Sequence, residues 1–259
     1  MTRPVMEVDG EPVSVDALRP LALLNYGHST AMQIRGGAVR GLELHLHRLR
    51  SATEELFGTT LEPETVLHYL RRALARTDGD ATVRVYVFAS EHVGAVSTLV
   101  VVEAPRERSA QPRALRSVAY QRPVPHLKHI GTFGKLYEER RAQADGFDSV
   151  LLTDPAGHVV ECATTNVGFF DGDRVVWPEG PALQGITMAL MERYLVDWGI
   201  PSVRRPVHLR EVTDFVTAFT ANSRGLTPIG RIDDTVLPVD PGAMSSLLTV
   251  FDALPWNTI

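Results

Sequence analysis

Residues 126–166 read HLKHIGTFGKLYEERRAQADGFDSVLLTDPAGHVVECATTN, and this order of elements decides the fold. Lys128 lies just ahead of a predicted helix over 133–145, with Thr132 as its cap and Gly146 as its stop. A strand over 149–153 follows. Asp154-Pro155-Ala156-Gly157 suits a type I turn, with proline second and glycine fourth. The next strand, 158–163, is apolar apart from Glu161, which stands 33 residues after Lys128. A carboxylate in such a strand either faces water at an edge or is aimed at a cation, because unpaired buried acids are costly. A lysine outside the helix, on a proline-stiffened link, is either a surface residue or a desolvated nucleophile. Lys135, seven residues on, reads as part of a charged and solvated helix surface with Glu138, Glu139, Arg140 and Arg141.

The chain around this stretch has 259 residues, enough for one large core or two modest ones. Its hydrophobic fraction is 44% and its net charge −5, which suits a globular protein and disfavours a dedicated nucleic-acid binder. Cys162 is the single cysteine, so no intrachain disulfide can form and a reducing cytoplasm is the expected setting. Residues 1–12 lack the apolar run of a signal peptide, and no stretch approaches the roughly 20 apolar residues of a membrane span.

Upstream, Asp9-Gly10 marks a short hairpin, and Thr30, Met32 and Ile34 fall on one face of a strand. Helical spacing over 45–57 and 64–75 and strands over 82–89 and 97–104 complete a first α+β layer. Residues 105–113 are polar and proline-bearing, and 115–121 reads as a strand. Downstream, paired strands at 167–170 and 174–177, a helix over 186–198, strands over 215–221 and 226–232 and a last helix over 244–254 make a β-rich second domain.

Further groups could bind a ligand. Gln184-Gly185-Ile186-Thr187 opens a helix whose free N–H groups favour an anion, and Thr187 adds a hydroxyl. Residues 220–225 (TANSRG) form a loop of small polar donors, and Arg48 sits on the first predicted helix in HLHRLRSA. Each taken singly is as readily a solvated surface. His45 and His47 point to different helix faces, which argues against a metal, and no metal is expected. Walker A, dinucleotide-binding and zinc-type spacings are absent from the sequence.

Taken in order, these blocks resemble the class IV, fold-type IV aminotransferases, which use pyridoxal 5′-phosphate. That family includes branched-chain and D-amino acid aminotransferases and aminodeoxychorismate lyase. HLHRLRSA is similar to the family's H-L-x-R-L-x-x-S-A, and Glu161 to Asn166 (ECATTN) to its E-G-x-x-x-N. Leu183 to Met188 (LQGITM) is similar to its L-x-G-I-T-R, and Asn222-Ser223 precede a strand beginning Thr227-Pro228-Ile229. The resemblance implies two α+β domains, a smaller N-terminal α/β sandwich and a larger β-rich C-terminal domain, with a cofactor cleft between them. The expected bounds are 1–114, an interdomain linker over 115–125, and 126–259.

The resemblance also implies roles. Lys128 would be the catalytic, Schiff-base lysine and proton shuttle. Glu161 would sit by the pyridine nitrogen. Arg48, Gly185, Ile186, Thr187, Asn222 and Ser223 would hold the phosphate, with Thr165 and Asn166 also against the cofactor. Tyr26 stands where many members have aspartate in the strand that lines the substrate pocket. Ser29, Ala31 and Gln33 on that strand are the expected substrate contacts. Cys162 and Met188 depart from the family's glycine and arginine. The implied activity is transfer of an amino group between an amino acid or small amine and a 2-oxo acid, in a homodimer. The alternative is a lyase resembling aminodeoxychorismate lyase that releases pyruvate. Its pocket threonine falls at Ala31 in this register, with Thr30 facing the other way.

Overall fold

A computed structural model describes residues 4–77, 79–90 and 94–259; Met1 to Arg3 of the N-terminal stretch lie outside them. The chain forms two compact units. The first runs through Arg106 and takes in Leu127–Gly131 and Pro255–Ile259. The second comprises Glu107–His126 and Thr132–Leu254.

The first unit contains β1 (Val5–Val8), β2 (Glu11–Pro12), α1 (Val15–Leu24), β3 (Gly27–Ile34), β4 (Ala38–Arg40), α2 (Leu42–Phe57), α3 (Pro63–Leu74), β5 (Ala81–Ala89) and β6 (Val96–Glu103). Its antiparallel sheet has the order β2-β1-β6-β5-β3. The Asp9-Gly10 turn forms because both residues adopt positive φ, 51° and 82°, which matches the strand twist. Alternation along β3 buries His28, Thr30, Met32 and Ile34. Met32 and Ile34 join Leu49, Val66, Leu70, Val83 and Val85 in one apolar cluster. The helix α1 carries no clear sequence signal, because Pro20 lies inside it. Ser14 caps it through Ala17 N at 3.1 Å, and Asn25 closes it in the left-handed region.

Two later pieces of chain return to this unit. Residues 127–131 pair with β3 through His28 and His129. Ser29 N donates to Lys128 O at 2.9 Å, and Ile130 N to Gly27 O at 3.0 Å. A last strand over Trp256–Thr258 pairs antiparallel with β4, and the Arg40 guanidinium lies 4.1 Å from the Trp256 ring centre.

The second unit contains β7 (Arg113–Ala119), α4 (Phe133–Ala144), β8 (Ser149–Thr153), β9 (Val159–Cys162), β10 (Asn166–Phe170), β11 (Val175–Pro178), α5 (Ile186–Tyr194), β12 (Ser202–Arg205), β13 (Thr217–Asn222), β14 (Gly225–Ile232), β15 (Thr235–Val236) and α6 (Pro241–Asp252). Its sheet runs β12-β11-β10-β13-β14-β7-β8-β9, with β15 beside β14. One apolar cluster joins α5 and α6 to Trp177 and Phe219; a second gathers Leu115, Leu151, Val167, Phe169 and Ile229. Burial on both faces explains why β8 and β11 read as unbroken apolar runs.

The structure differs from the expected linker over 115–125. Strand β7 lies inside the second sheet, parallel to both β14 and β8, with Leu115 fully buried. The prolines at 112, 123 and 125 bracket this strand rather than mark a boundary. The segment returning to the first unit is 127–131, so Lys128 and Glu161 belong to different units. The helix expected over 186–198 also divides. It is α-helical to Tyr194, then one 3₁₀ turn over Leu195–Trp198 ending at Gly199 with φ 70°.

Candidate active site

In the first unit, Lys128 sits where residues 127–131 join the edge of β3, its carbonyl held by Ser29 N. The Ser29 hydroxyl points to the same carbonyl at 3.5 Å. Arg48 is half-buried on α2, and burial pushes its guanidinium down to about 10. Its guanidinium is therefore not that of a fully solvated helix face. The charges of both Arg48 and Lys128 act on the imidazole of His45, so these three side chains share one electrostatic environment.

The expected substrate residues lie on or beside β3. Tyr26 is exposed; its hydroxyl donates to Leu56 O at 3.3 Å and its ring meets Phe57 edge-on. Ser29 and Ala31 are half-buried on the face opposite Thr30. Gln33 is buried, and its Oε1 accepts from the Thr82 hydroxyl at 3.0 Å and from Arg106 N at 3.3 Å. That oxygen therefore serves the first unit's own frame.

In the second unit, Glu161 is not an edge residue facing water, being only 5% exposed near the end of β9. Its Oε1 accepts from Arg122 Nη1 at 3.1 Å, and Oε2 from Leu183 N at 3.4 Å. Arg122 is equally buried and also donates to Pro125 O at 3.1 Å. Burial raises the Glu161 pKa, with the Arg122 charge and hydrogen bond opposing the rise. Beyond Glu161 the chain turns tightly. Cys162 N donates to Thr165 O at 2.8 Å, and burial pushes the Cys162 thiol up to about 12, which leaves it inert.

Asn166 opens β10 and donates through Nδ2 to Leu183 O at 2.7 Å. Glu161 and Asn166 thus both fix the loop that leads into α5. Gly185 caps α5 without a side-chain bond, and among the described residues no side chain caps the first-turn N–H groups at Ile186 and Thr187, a helix start of the kind that favours an anion. The Thr187 hydroxyl donates to Asn222 O at 2.8 Å, tying α5 to the turn after β13. Asn222 Oδ1 accepts from Arg224 N at 2.9 Å within that turn, and Ser223 is half-buried there.

Gly185 has ordinary dihedrals, φ −67° and ψ 145°, so its glycine is required by space alone. A Cβ there would lie 1.9 Å from Asn166 Oδ1. Gly185→Ala is expected to displace Asn166, break its bond to Leu183 and lower stability by about 1–3 kcal/mol. Thermal unfolding checks this; a melting temperature equal to the parent's would overturn the close-approach argument.

Two site residues escape a linear reading. Arg122 pairs with a residue 39 positions away, and no local pattern links them. Lys135 does not lie on the solvated surface expected for it. It is half-buried, and its pKa is lowered first by burial and then by Arg122, with Glu161 and Glu139 opposing. Gly134 allows this placement, since a Cβ there would lie 2.2 Å from the Tyr120 hydroxyl and would push α4 away from β7. A cavity of about 270 Å³ in the second unit borders the same turn, lined by Arg108, Arg113, Asp148, Asn222 and Arg224 among others. Among the described residues no cluster suits a metal ion, and no helix is long and apolar enough to cross a membrane.

One α+β unit bears a half-buried arginine and a lysine, and the other a buried carboxylate and a helix start without a side-chain cap. Residues 27–232 match the family model "Amino-transferase class IV", and the chain belongs to that family of pyridoxal-phosphate enzymes. A "Probable branched-chain-amino-acid aminotransferase" of Rickettsia conorii is 29% identical over 87 residues, 33% of this chain. The match spans only 30% of that curated relative's length. A hypothetical aminotransferase from Mycobacterium tuberculosis, in its apo form, shares the fold with a TM-score of 0.84. The identity there is 17%, over 96% of this chain and 98% of the other. A branched-chain aminotransferase from Thermoproteus uzoniensis, solved with norvaline, has a TM-score of 0.82 at 20% identity, over 95% and 92% of the two chains.

The residues present fit pyridoxal phosphate. Taken singly, Arg48 in the first unit and the uncapped start of α5 in the second are each of a kind that suits a phosphate, and a buried carboxylate such as Glu161 suits a ring nitrogen that carries a proton. When bound, that group supplies an electron sink for charge developing at the substrate's Cα.

Proposed function

We propose that this chain is a pyridoxal-phosphate aminotransferase that moves an amino group between an amino acid or small amine and a 2-oxo acid. Lys128 Nζ makes the covalent attachment and, once displaced by an amine, carries the proton to and from the substrate's Cα. A lysine can do this only when neutral. Arg48 holds the phosphate, together with the N–H groups of Ile186 and Thr187 and the turn at Asn222-Ser223. Glu161 faces the pyridine nitrogen, and Thr165 and Asn166 support that side. Tyr26, Ser29, Ala31 and Gln33 border the substrate. The arginine-lined cavity beside Asn222 suits a carboxylate such as that of a 2-oxo acid.

The protein is proposed to act in the cytoplasm as a homodimer. Its sole cysteine is buried and free, and family members are commonly dimers. The observation that supports the functional reading is the joint action of the Arg48 and Lys128 charges on His45.

The test is a half-reaction. The reconstituted protein is mixed with single amino donors and no 2-oxo acid, and the cofactor is recovered by chromatography. Recovery as pyridoxamine phosphate is the expected result. Catalytic release of pyruvate from aminodeoxychorismate, with the cofactor recovered unchanged, would replace the transferase reading by the lyase.

A further inference from the structure

Two buried histidines of the first unit differ in one respect that points to a ligand. His28 and His45 pack against threonines at the interface of β3 and α2, at 0% and 4% exposure. The Thr53 hydroxyl donates to Leu49 O at 2.8 Å, so it accepts from His28 Nε2–H at 2.9 Å. The Nε2 proton of His28 is therefore satisfied inside the protein.

His45 is arranged the other way round. Its Nδ1 lies 2.6 Å from the hydroxyl of Thr30, which is fully buried. Among the described residues that is the only hydrogen bond of the Thr30 hydroxyl. A hydroxyl carries one hydrogen, and burying it without an acceptor costs free energy. Thr30 therefore donates to Nδ1, which leaves the ring proton on Nε2. Among the described residues that Nε2 has no hydrogen-bond partner, and it is not one of the sealed-off orphan atoms, so although the residue is only 4% exposed this nitrogen reaches open space. The orphan of His28 is instead its buried Nδ1, an acceptor. Arg48 follows three residues later on α2, so the two side chains share a helix face.

We infer that His45 is a cofactor-positioning residue: Thr30 fixes its neutral Nε2–H tautomer, and that N–H donates to an oxygen of the phosphate that Arg48 holds. The inference rests on the proposed phosphate role of Arg48. It makes chemical sense beside Lys128. A neutral donor adds a directed hydrogen bond to the phosphate without placing a third positive charge there. Burial first, then Arg48 and Lys128, push the imidazole down to about 3, so it remains a neutral donor through the working pH range.

Long-range proton–nitrogen spectra of the apoprotein should show His45 protonated at Nε2, and Thr30→Val should lose that single tautomer. Calorimetric titration with pyridoxamine 5′-phosphate, which cannot attach to a lysine, should give an affinity about tenfold weaker in His45→Leu. His45→Gln, whose amide nitrogen falls near Nε2, should restore most of it. If His45→Leu does not fold, Thr30→Val decides, with a severalfold weaker affinity expected.

A His45 proton on Nδ1 would overturn the inference. So would equal weakening in His45→Leu and His45→Gln, which assigns packing alone. An unchanged affinity in His45→Leu, with Arg48→Leu weakened, sinks this inference and spares the phosphate site. An unchanged affinity in Arg48→Leu sinks the phosphate site itself.

Discussion

Lys128→Ala is expected to abolish covalent attachment of pyridoxal phosphate and to lower turnover by at least about a hundredfold, the smallest usual contribution of a positioned proton-transfer group. The structure makes this a contest between two lysines. Lys135 is half-buried, its pKa is lowered, and it shares the surroundings of Arg122 and Glu161. The lowered pKa of Lys135 gives it an accessible neutral form, as a nucleophile requires. Position supports Lys128. The backbone of Lys128 is pinned to β3 through Ser29 N, and its charge acts together with that of Arg48. Lys135 is inside α4, next to a carboxylate that stabilises its charged form. Borohydride reduction of the holoprotein followed by peptide mapping should place the pyridoxyl group on Lys128, and Lys135→Met should keep that label. A label on Lys135 would reverse the assignment.

Arg122→Met is expected to lower stability by about 3–5 kcal/mol near neutral pH, the usual effect of leaving one half of a buried ion pair unmatched. Glu161 would keep its Leu183 N–H but lose its counter-charge. The pH dependence has a definite sign. Burial already raises the Glu161 pKa in the folded protein, so the folded state holds that proton more tightly than the unfolded chain. Stability contributed by this group is therefore greatest below the ordinary carboxylate range and falls as pH rises through the folded pKa. Arg122 opposes the rise, so its removal lifts the folded pKa further and widens that window. The deficit of Arg122→Met relative to the parent should shrink on acidification. Urea unfolding at several pH values measures it; a deficit that grows on acidification would show that Glu161 is not the group left unmatched.

Much of the second unit was legible because its local signals agree. The Asp154–Gly157 turn closes with Gly157 N donating to Asp154 O at 3.1 Å, and the strands on either side are fully buried. The helix start at Gly185-Ile186-Thr187 was equally plain. Legibility failed where tertiary context overrode local preference. Pro20 argues against α1, yet the helix forms with a cap at each end. Prolines around residues 112–125 suggest a linker, yet β7 is flanked by strands on both sides. The charged sequence around Lys135 suggests water, yet close packing of Gly134 on Tyr120 brings that turn of α4 against the sheet.

The sequence by itself determined most of the elements, the family and the candidate residue types, because periodicity, turn residues and short motifs are local properties of the chain. Only the tertiary structure decided which of these residues have partners. It set Arg122 on Glu161 across 39 residues and bound the Lys128 segment to the edge of β3. It also gave Thr30 to His45 Nδ1, with no partner for the opposite ring nitrogen among the described residues. The reason is physical: a buried polar atom must be satisfied by whatever the fold brings to it, and sequence spacing does not say what that will be.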